Sequence, residues 1–253
     1  MKYSVCTDAV FMGKSDIISA MEQVKRCGYD AVEFWTWWDK DMEAVIEKQQ
    51  KLGLEVAAFC AEFIEPGDEK NHAAYEASLE KAVGYAKRMS CKTLIAQAGW
   101  VTDEIPFVKH RKNIIKLFRR VAPMAEQEGI TLVIEPLNKL VNHPTYHLSS
   151  SWDAFGLVGE IGSPNVKILF DIYHQQITEG NLISNITEHI DRIGHFHAAG
   201  NPGRTEITKG EICYRNVFTA IKEAGYEGYI GLEYMTQEDP CPGLVEIRER
   251  TLI

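Results

Sequence analysis

Four residues in the second half of the sequence have types and spacing that could share one piece of chemistry: Glu135, Asp171, His197 and Glu233. Each lies at the end of a short apolar run, and successive members are 36, 26 and 36 residues apart. Three carboxylates with one imidazole suit a hard or borderline divalent cation better than a thiolate-type centre would. Without a cation they would repel one another and rise in pKa. Two more polar groups follow closely, His174 after Asp171 and Arg204 beyond Gly200 and Gly203. An apolar core could not hold such a collection unpaired. Singly, each residue also has a plain structural use. Asp171 can cap the helix that follows it, and His195 and His197 can be satisfied core histidines. Glu135 can be a salt-bridge residue before Pro136, Glu233 a helix-dipole partner, and Arg204 the partner of Glu206 or Glu211. On residue type and spacing alone, the set is compatible with a metal site and with these structural uses in equal measure.

The elements that must position this set alternate along the whole chain. Short apolar runs rich in β-branched or aromatic residues read as strands at 3–6, 31–35, 55–60, 93–97, 130–134, 166–170, 193–196 and 229–232. Amphipathic stretches read as helices at 15–26 (with Ser15 as N-cap), 40–52, 73–89, 107–128, 151–161 and 215–224, and a helical segment joins the sixth and seventh strands. Several stop at glycine. Eight strands separated by helices, with no Pro/Ser-rich linker or composition break, predict an α/β fold, a single (β/α)8 TIM barrel spanning residues 1–253 as one domain. A doubly wound open sheet would favour a glycine-rich first turn, and none follows Cys6. Functional groups of such barrels lie at the C-terminal ends of the strands, where successive strands deliver one residue each. That is where the set falls.

Composition narrows the function classes. The sequence has 253 residues and 36 acids against 27 bases, a formal charge of −9, which disfavours a nucleic-acid partner. No apolar run approaches the length of a membrane span and the N-terminus lacks signal-peptide character, so a cytoplasmic protein with no membrane partner is expected. Six cysteines without C-x-x-C spacing read as reduced thiols and not as a zinc or disulfide framework.

Several motifs carry a family resemblance: V-I-E-P-L-N (133–138), F-D-I-Y-H (170–174), E-G-N-L (179–182), I-G-H-F-H-A-A-G-N-P-G-R (193–204), G-E-I (210–212) and G-Y-I-G-L-E-Y (228–234). Together they resemble the hydroxypyruvate isomerase family, xylose-isomerase-like barrels related to the ketose 3-epimerases. The likeness is strongest over 130–235; in the first half mainly G-Y-D-A-V-E-F (28–34) agrees. The resemblance implies that Glu135 and Glu233 are an acid/base pair, and that Glu135, Asp171, His197 and Glu233 hold the metal. It implies Mg²⁺ or Mn²⁺ first, with Co²⁺ or Zn²⁺ as further candidates, and substrate contacts from His174 and Arg204. The substrate would be a small hydroxy-carbonyl compound of the hydroxypyruvate/tartronate semialdehyde type, isomerised through an enediolate.

Two features depart from that isomerase: His197 stands where glutamine is common, as in the epimerase branch, and the segment after the third strand is short. Ketose 3-epimerase is therefore the alternative, followed by a non-catalytic sugar-acid-binding barrel and an abasic-site endonuclease. Trp35, with Trp37 and Trp38, is expected to form an apolar wall over the substrate. His143 and His147 are expected at the surface or in a lid, and residues 109–112 on a solvated basic face. A homo-oligomer is compatible with all of this.

Overall fold

In the computed structural model, which describes residues 1–253, eight strands pair in parallel and close on themselves, β8 returning to β1. They are β1 (Lys2–Cys6), β2 (Ala31–Phe34), β3 (Glu55–Cys60), β4 (Thr93–Gln97), β5 (Thr131–Glu135), β6 (Val166–Asp171), β7 (Ile193–Ala198) and β8 (Tyr229–Leu232). The main crossover helices are α2 (Ile17–Arg26), α3 (Met42–Leu52), α4 (His72–Arg88), α5 (Phe107–Glu128), α6 (Ser151–Ile161) and α9 (Tyr214–Glu223). The expected (β/α)8 barrel is therefore observed, and the open-sheet alternative is excluded by closure.

Local chemistry explains most boundaries. Asp41 caps α3 by accepting from the amides of Glu43 and Ala44, and Gly53 ends it in the left-handed conformation that favours glycine. The cap of α2 is Asp16, one residue after the expected Ser15; its carboxylate accepts from Ser19 N at 2.9 Å. The segment between β6 and β7 is two short helices, α7 (Ile172–Thr178) and α8 (Leu182–Glu188), parted at Gly180. Two helices have no counterpart in the sequence reading. One is the single turn α1 (Thr7–Val10); the other is α10 (Pro240–Arg250), whose first turn holds two prolines and a glycine. Proline is tolerated there because the first amides of a helix lack intrahelical partners anyway.

Strand pleating decides which residues face the barrel interior. Ala58, Cys60, Ile95, Val133 and Leu169 form the small inner apolar cluster. Their neighbours Leu94, Leu132, Ile134, Ile168 and Phe170 join the large core between barrel and helices. Two positions on from Val133 and Leu169 stand Glu135 and Asp171, so a period of two delivers both carboxylates to the inward side. β7 continues the pattern with His195 and His197 alternating against Phe196, which packs in the outer core.

Candidate active site

The four proposed ligands converge. Glu135 ends β5, Asp171 ends β6, His197 lies on β7 directly opposite Asp171, and Glu233 follows β8. One donor atom from each lies within 4.8 Å of all the others. His197 Nδ1 is 3.1 Å from Glu233 Oε2 and 3.5 Å from Glu135 Oε1. Glu135 Oε1, Asp171 Oδ2 and His197 Nδ1 are buried without a hydrogen-bond partner. Unpartnered buried oxygens and a nitrogen facing one point are costly in a folded protein. A divalent cation would satisfy all three, so the donor set fits the group its chemistry suggested.

Asp171 is both a cap and a site residue, through different oxygens. Its Oδ1 accepts from Tyr173 N (2.8 Å) and His174 N (3.1 Å), starting α7, which leaves Oδ2 directed at the cluster. The cap fixes the free oxygen in place.

The protonation states of the two glutamates diverge. Burial, reinforced by the Glu233 and Asp171 carboxylates against the opposing His197, pushes the Glu135 carboxyl up to about 7. Burial also acts on Glu233, but His197 and Arg204 outweigh it and hold that carboxyl well below the usual range. Trp35 adds to the effect by donating Nε1–H to Glu233 Oε1 at 2.5 Å. His197 is itself pushed up, because the carboxylates of Glu233, Glu33 and Glu135 overcome its burial. One glutamate thus tends to hold a proton and the other to remain charged.

Arg204 pairs with Glu233 through Nη2, and its Nη2 lies 3.5 Å from Asp171 Oδ2. The alternative partners are engaged elsewhere, Glu206 with Lys209 and Glu211 with Asn201 and Gln176. Arg204 has a left-handed backbone (φ 55°), and its carbonyl accepts from Met235 N at 2.7 Å, tying it to the segment after β8. Backbone strain of this kind persists where surrounding contacts over-determine it. His174 is fully buried. Its Nδ1 accepts from the backbone N (3.1 Å) and side-chain Nδ2 (2.6 Å) of Asn138, whose own oxygen is occupied by the amides of Val141 and Asn142. Its Nε2 faces the mouth, 3.2 Å from Arg204 Nη1, so in the absence of substrate both ring nitrogens face donors.

A cavity of about 600 Å³ opens over the cluster. Trp35, Cys60, Phe63 and Ile95 form one wall, with Gln97, Asn142, His143, Tyr173, His174 and Arg204 around the rest. Of the three tryptophans, only Trp35 lines it. Trp37 is buried against Tyr85, and Trp38 meets Phe63 edge-on at 4.9 Å, so the expected three-ring wall is corrected to one ring with Trp38 behind it. His143 lines the mouth as expected of a lid residue. His147 does not lie at the surface: it is buried, stacked between Phe107 (4.2 Å) and His110 (4.3 Å). His110 likewise leaves the supposed solvated face and pairs with Glu65 at 2.9 Å.

Sequence reasoning missed Glu33, Gln97 and Asp8. Glu33 is a charge inside the buried run A-V-E-F, and Gln97 is the polar end of T-L-I-A-Q, opposite Glu135; each breaks an apolar pattern, a signal that was readable. Asp8 follows β1 and accepts from Trp35 N (2.8 Å), Thr36 N (3.2 Å) and Lys40 Nζ (3.0 Å), holding Trp35 against Glu233. No local pattern marks it.

With this geometry in place, comparison with known proteins is informative. The profile of the xylose isomerase-like TIM barrel family matches residues 21–250. The hydroxypyruvate isomerase of Escherichia coli K12 is 31% identical, over 93% of this chain and 94% of its own. The 2-oxo-tetronate isomerase of Cupriavidus necator is 30% identical, over 86% of each. A solved structure described as an AP endonuclease, family 2, from Brucella melitensis superposes with a TM-score of 0.90 at 25% identity over the full length of both chains. This chain belongs to the xylose isomerase-like TIM barrel family, and its likeness to hydroxypyruvate isomerases extends over nearly all of its length. No helix is long and apolar enough to cross a membrane.

Proposed function

We propose that the protein is a metal-dependent isomerase of a small 2-keto or hydroxy-aldehyde acid, acting through an enediolate with Glu135 and Glu233 as acid and base. The observation that carries this is the four-donor cluster at the mouth, with Glu135 Oε1, Asp171 Oδ2 and His197 Nδ1 buried and unpartnered around one point. Glu135, Asp171, His197 and Glu233 would hold the cation, Mg²⁺ or Mn²⁺ in first place. Bound there, it supplies Lewis-acid polarisation of the substrate carbonyl. The chain's own residues do the rest. Glu135 and Glu233, on opposite sides of the mouth, would remove the proton from the carbon beside the carbonyl and deliver one to its neighbour. For hydroxypyruvate this takes a proton from C3 and delivers one to C2, giving tartronate semialdehyde, with the oxygen-bound proton passing between the two oxygens. His174 Nε2 and the Arg204 guanidinium are placed to meet substrate oxygens, and a bidentate guanidinium suits a carboxylate. Trp35 closes one side. All 253 residues are taken as one catalytic domain, and the substrate as the partner, with no nucleic acid or membrane required.

The names of the relatives favour hydroxypyruvate or a 2-oxo-tetronate. The histidine at 197 keeps ketose 3-epimerisation as the second reading, in which the same glutamates serve two faces of one carbon. The nuclease reading has less support, since the mouth is rich in carboxylates and the chain carries net charge −9. Metal-loaded protein in D₂O, with hydroxypyruvate, tartronate semialdehyde, a 2-oxo-tetronate and a panel of ketoses, decides among them by NMR of C–H exchange. Exchange with an acid, lost in Glu135→Gln, in Glu233→Gln or with chelator, supports the proposal. Exchange with ketoses alone transfers the chain to the epimerases, and none with any compound refutes the isomerase assignment.

A further inference from the structure

One charged group sits beneath the mouth with no role in the chemistry above. Glu33, on β2, is inside the barrel and only 1% exposed, surrounded by His195, His197 and Ser4. Its Oε2 accepts from His195 Nε2 at 2.8 Å and from Ser4 Oγ at 3.3 Å. Its Oε1 lies 3.2 Å from His197 Nε2, a charge contact, and neither of these two buried atoms has a hydrogen-bond partner. Room for the carboxylate comes from β8. A Cβ on Gly231 would stand 1.8 Å from Glu33 Oε1, so any side chain there would displace the carboxylate. Gly231 pairs in register with both His197 and Ser4 and is the second glycine of G-Y-I-G-L-E-Y. Glu33 belongs to G-Y-D-A-V-E-F. Two motif residues distant in sequence thus meet at one point, and nothing in the isomerase chemistry uses either.

The Glu33 carboxyl oxygens stand 2.8 Å from His195 Nε2 and 3.2 Å from His197 Nε2, and a carboxylate there can only accept, so the imidazole nitrogens turned toward it are the ones suited to carry a proton. The opposite nitrogen of His197, Nδ1, is the one that looks into the cluster of Glu135, Asp171 and Glu233. A ligating histidine whose far N–H is held by a carboxylate is fixed in tautomer and ring orientation, and made more basic.

We propose that Glu33, seated in the gap left by Gly231, is a positioning residue that fixes His197 with its proton on Nε2 and its Nδ1 lone pair turned to the cation. It acts through His197 and touches no substrate. The proposal rests on the cation site described above, so its test reads metal binding, not turnover alone. Mg²⁺ or Zn²⁺ binding is measured by calorimetry, with stoichiometry by native mass spectrometry, for the wild type, Glu33→Gln and Gly231→Ala. The histidine tautomer is read by long-range ¹H–¹⁵N NMR of the Zn²⁺-loaded wild type, which needs no variant to fold. Expected are one cation per chain, an Nε2–H tautomer at His197, and about 10–100-fold weaker binding in Glu33→Gln, with the melting temperature of the metal-free variant near that of wild type. Gly231→Ala should weaken binding in the same direction by displacing the carboxylate. An Nδ1–H tautomer, or unchanged affinity in Glu33→Gln, overturns the role of Glu33 and leaves the isomerase proposal standing. Two cations per chain, one of them lost in Glu33→Gln, would make Glu33, His195 and His197 ligands of their own and also overturn it. No cation uptake by the wild type removes the site and this inference together.

Discussion

Cation binding at this site should displace protons, and the structure says how many. In the metal-free protein, burial and neighbouring carboxylates push Glu135 up to about 7, and the surrounding carboxylates also push His197 up. Below pH 7 both hold a proton, yet both must give it up to act as ligands. Between pH 6 and 7 cation uptake should therefore release up to about two protons, and above 7, with Glu135 ionised, fewer. Each proton makes affinity about tenfold stronger per pH unit, or about 1.4 kcal/mol. The sign follows from proton–cation competition: affinity falls as pH falls. From pH 6 to pH 8 the dissociation constant for Mg²⁺ or Mn²⁺ should drop by up to about a thousandfold. Calorimetric titration in two buffers of unlike ionisation enthalpy counts the protons directly. Glu135→Gln should bind more weakly overall and release about one proton fewer below pH 7. A dissociation constant flat over this range, with no proton release, would refute the assignment of Glu135 and His197 as ligands.

Three other outcomes are expected. In the metal-free protein the Glu135 carboxyl is raised in the folded state, so its contribution to stability is present below about 4.5 and lost as pH rises through about 7; Glu135→Gln should therefore stabilise the protein at pH 8 by up to about 3 kcal/mol, read as a higher melting temperature, and a lowered one would contradict this. Trp35→Phe removes the 2.5 Å hydrogen bond to Glu233 while keeping an aromatic wall, and kcat/KM should fall about 10–100-fold with the fold intact; unchanged kinetics would show that the indole N–H does not set the state of Glu233. Glu179, from E-G-N-L, accepts from Ser150 Oγ (2.9 Å), Ser151 N (3.3 Å) and Asn185 Nδ2 (3.3 Å), securing α6 and α8 from a place outside the mouth. Glu179→Ala should cost about 1–2 kcal/mol in thermal unfolding and leave cation affinity unchanged; weaker cation binding would assign that motif to the site instead.

The repeating order of strands and helices was legible because each strand is a short buried run and several helices carry their own cap or glycine stop. The helix α10, with its proline-bearing first turn, went unread. The order Glu135, Asp171, His197, Glu233 was legible for the same reason. A period of two, applied to parallel strands closed into a barrel, turns every second residue inward, and the inward residues nearest the ends of β5, β6 and β7 face the mouth. Local pattern could not say that His147 stacks inside between Phe107 and His110, or that Trp37 turns away from the cavity, since neither depends on its own neighbours in sequence.

Residue types along the chain were enough to define an eight-stranded α/β barrel and the identity of a four-donor cluster at its mouth, because periodicity, caps and spacing are local quantities. Which carboxylate Arg204 pairs with, and that the space beside Gly231 holds the Glu33 carboxylate, were decided only by closure of the barrel. Closure brings β2 beside β7 and β8 across the interior, and puts Glu33 against His197 and Arg204 against Glu233. Electrostatic coupling depends on distance through space, and these partners are 164 and 29 residues apart in sequence.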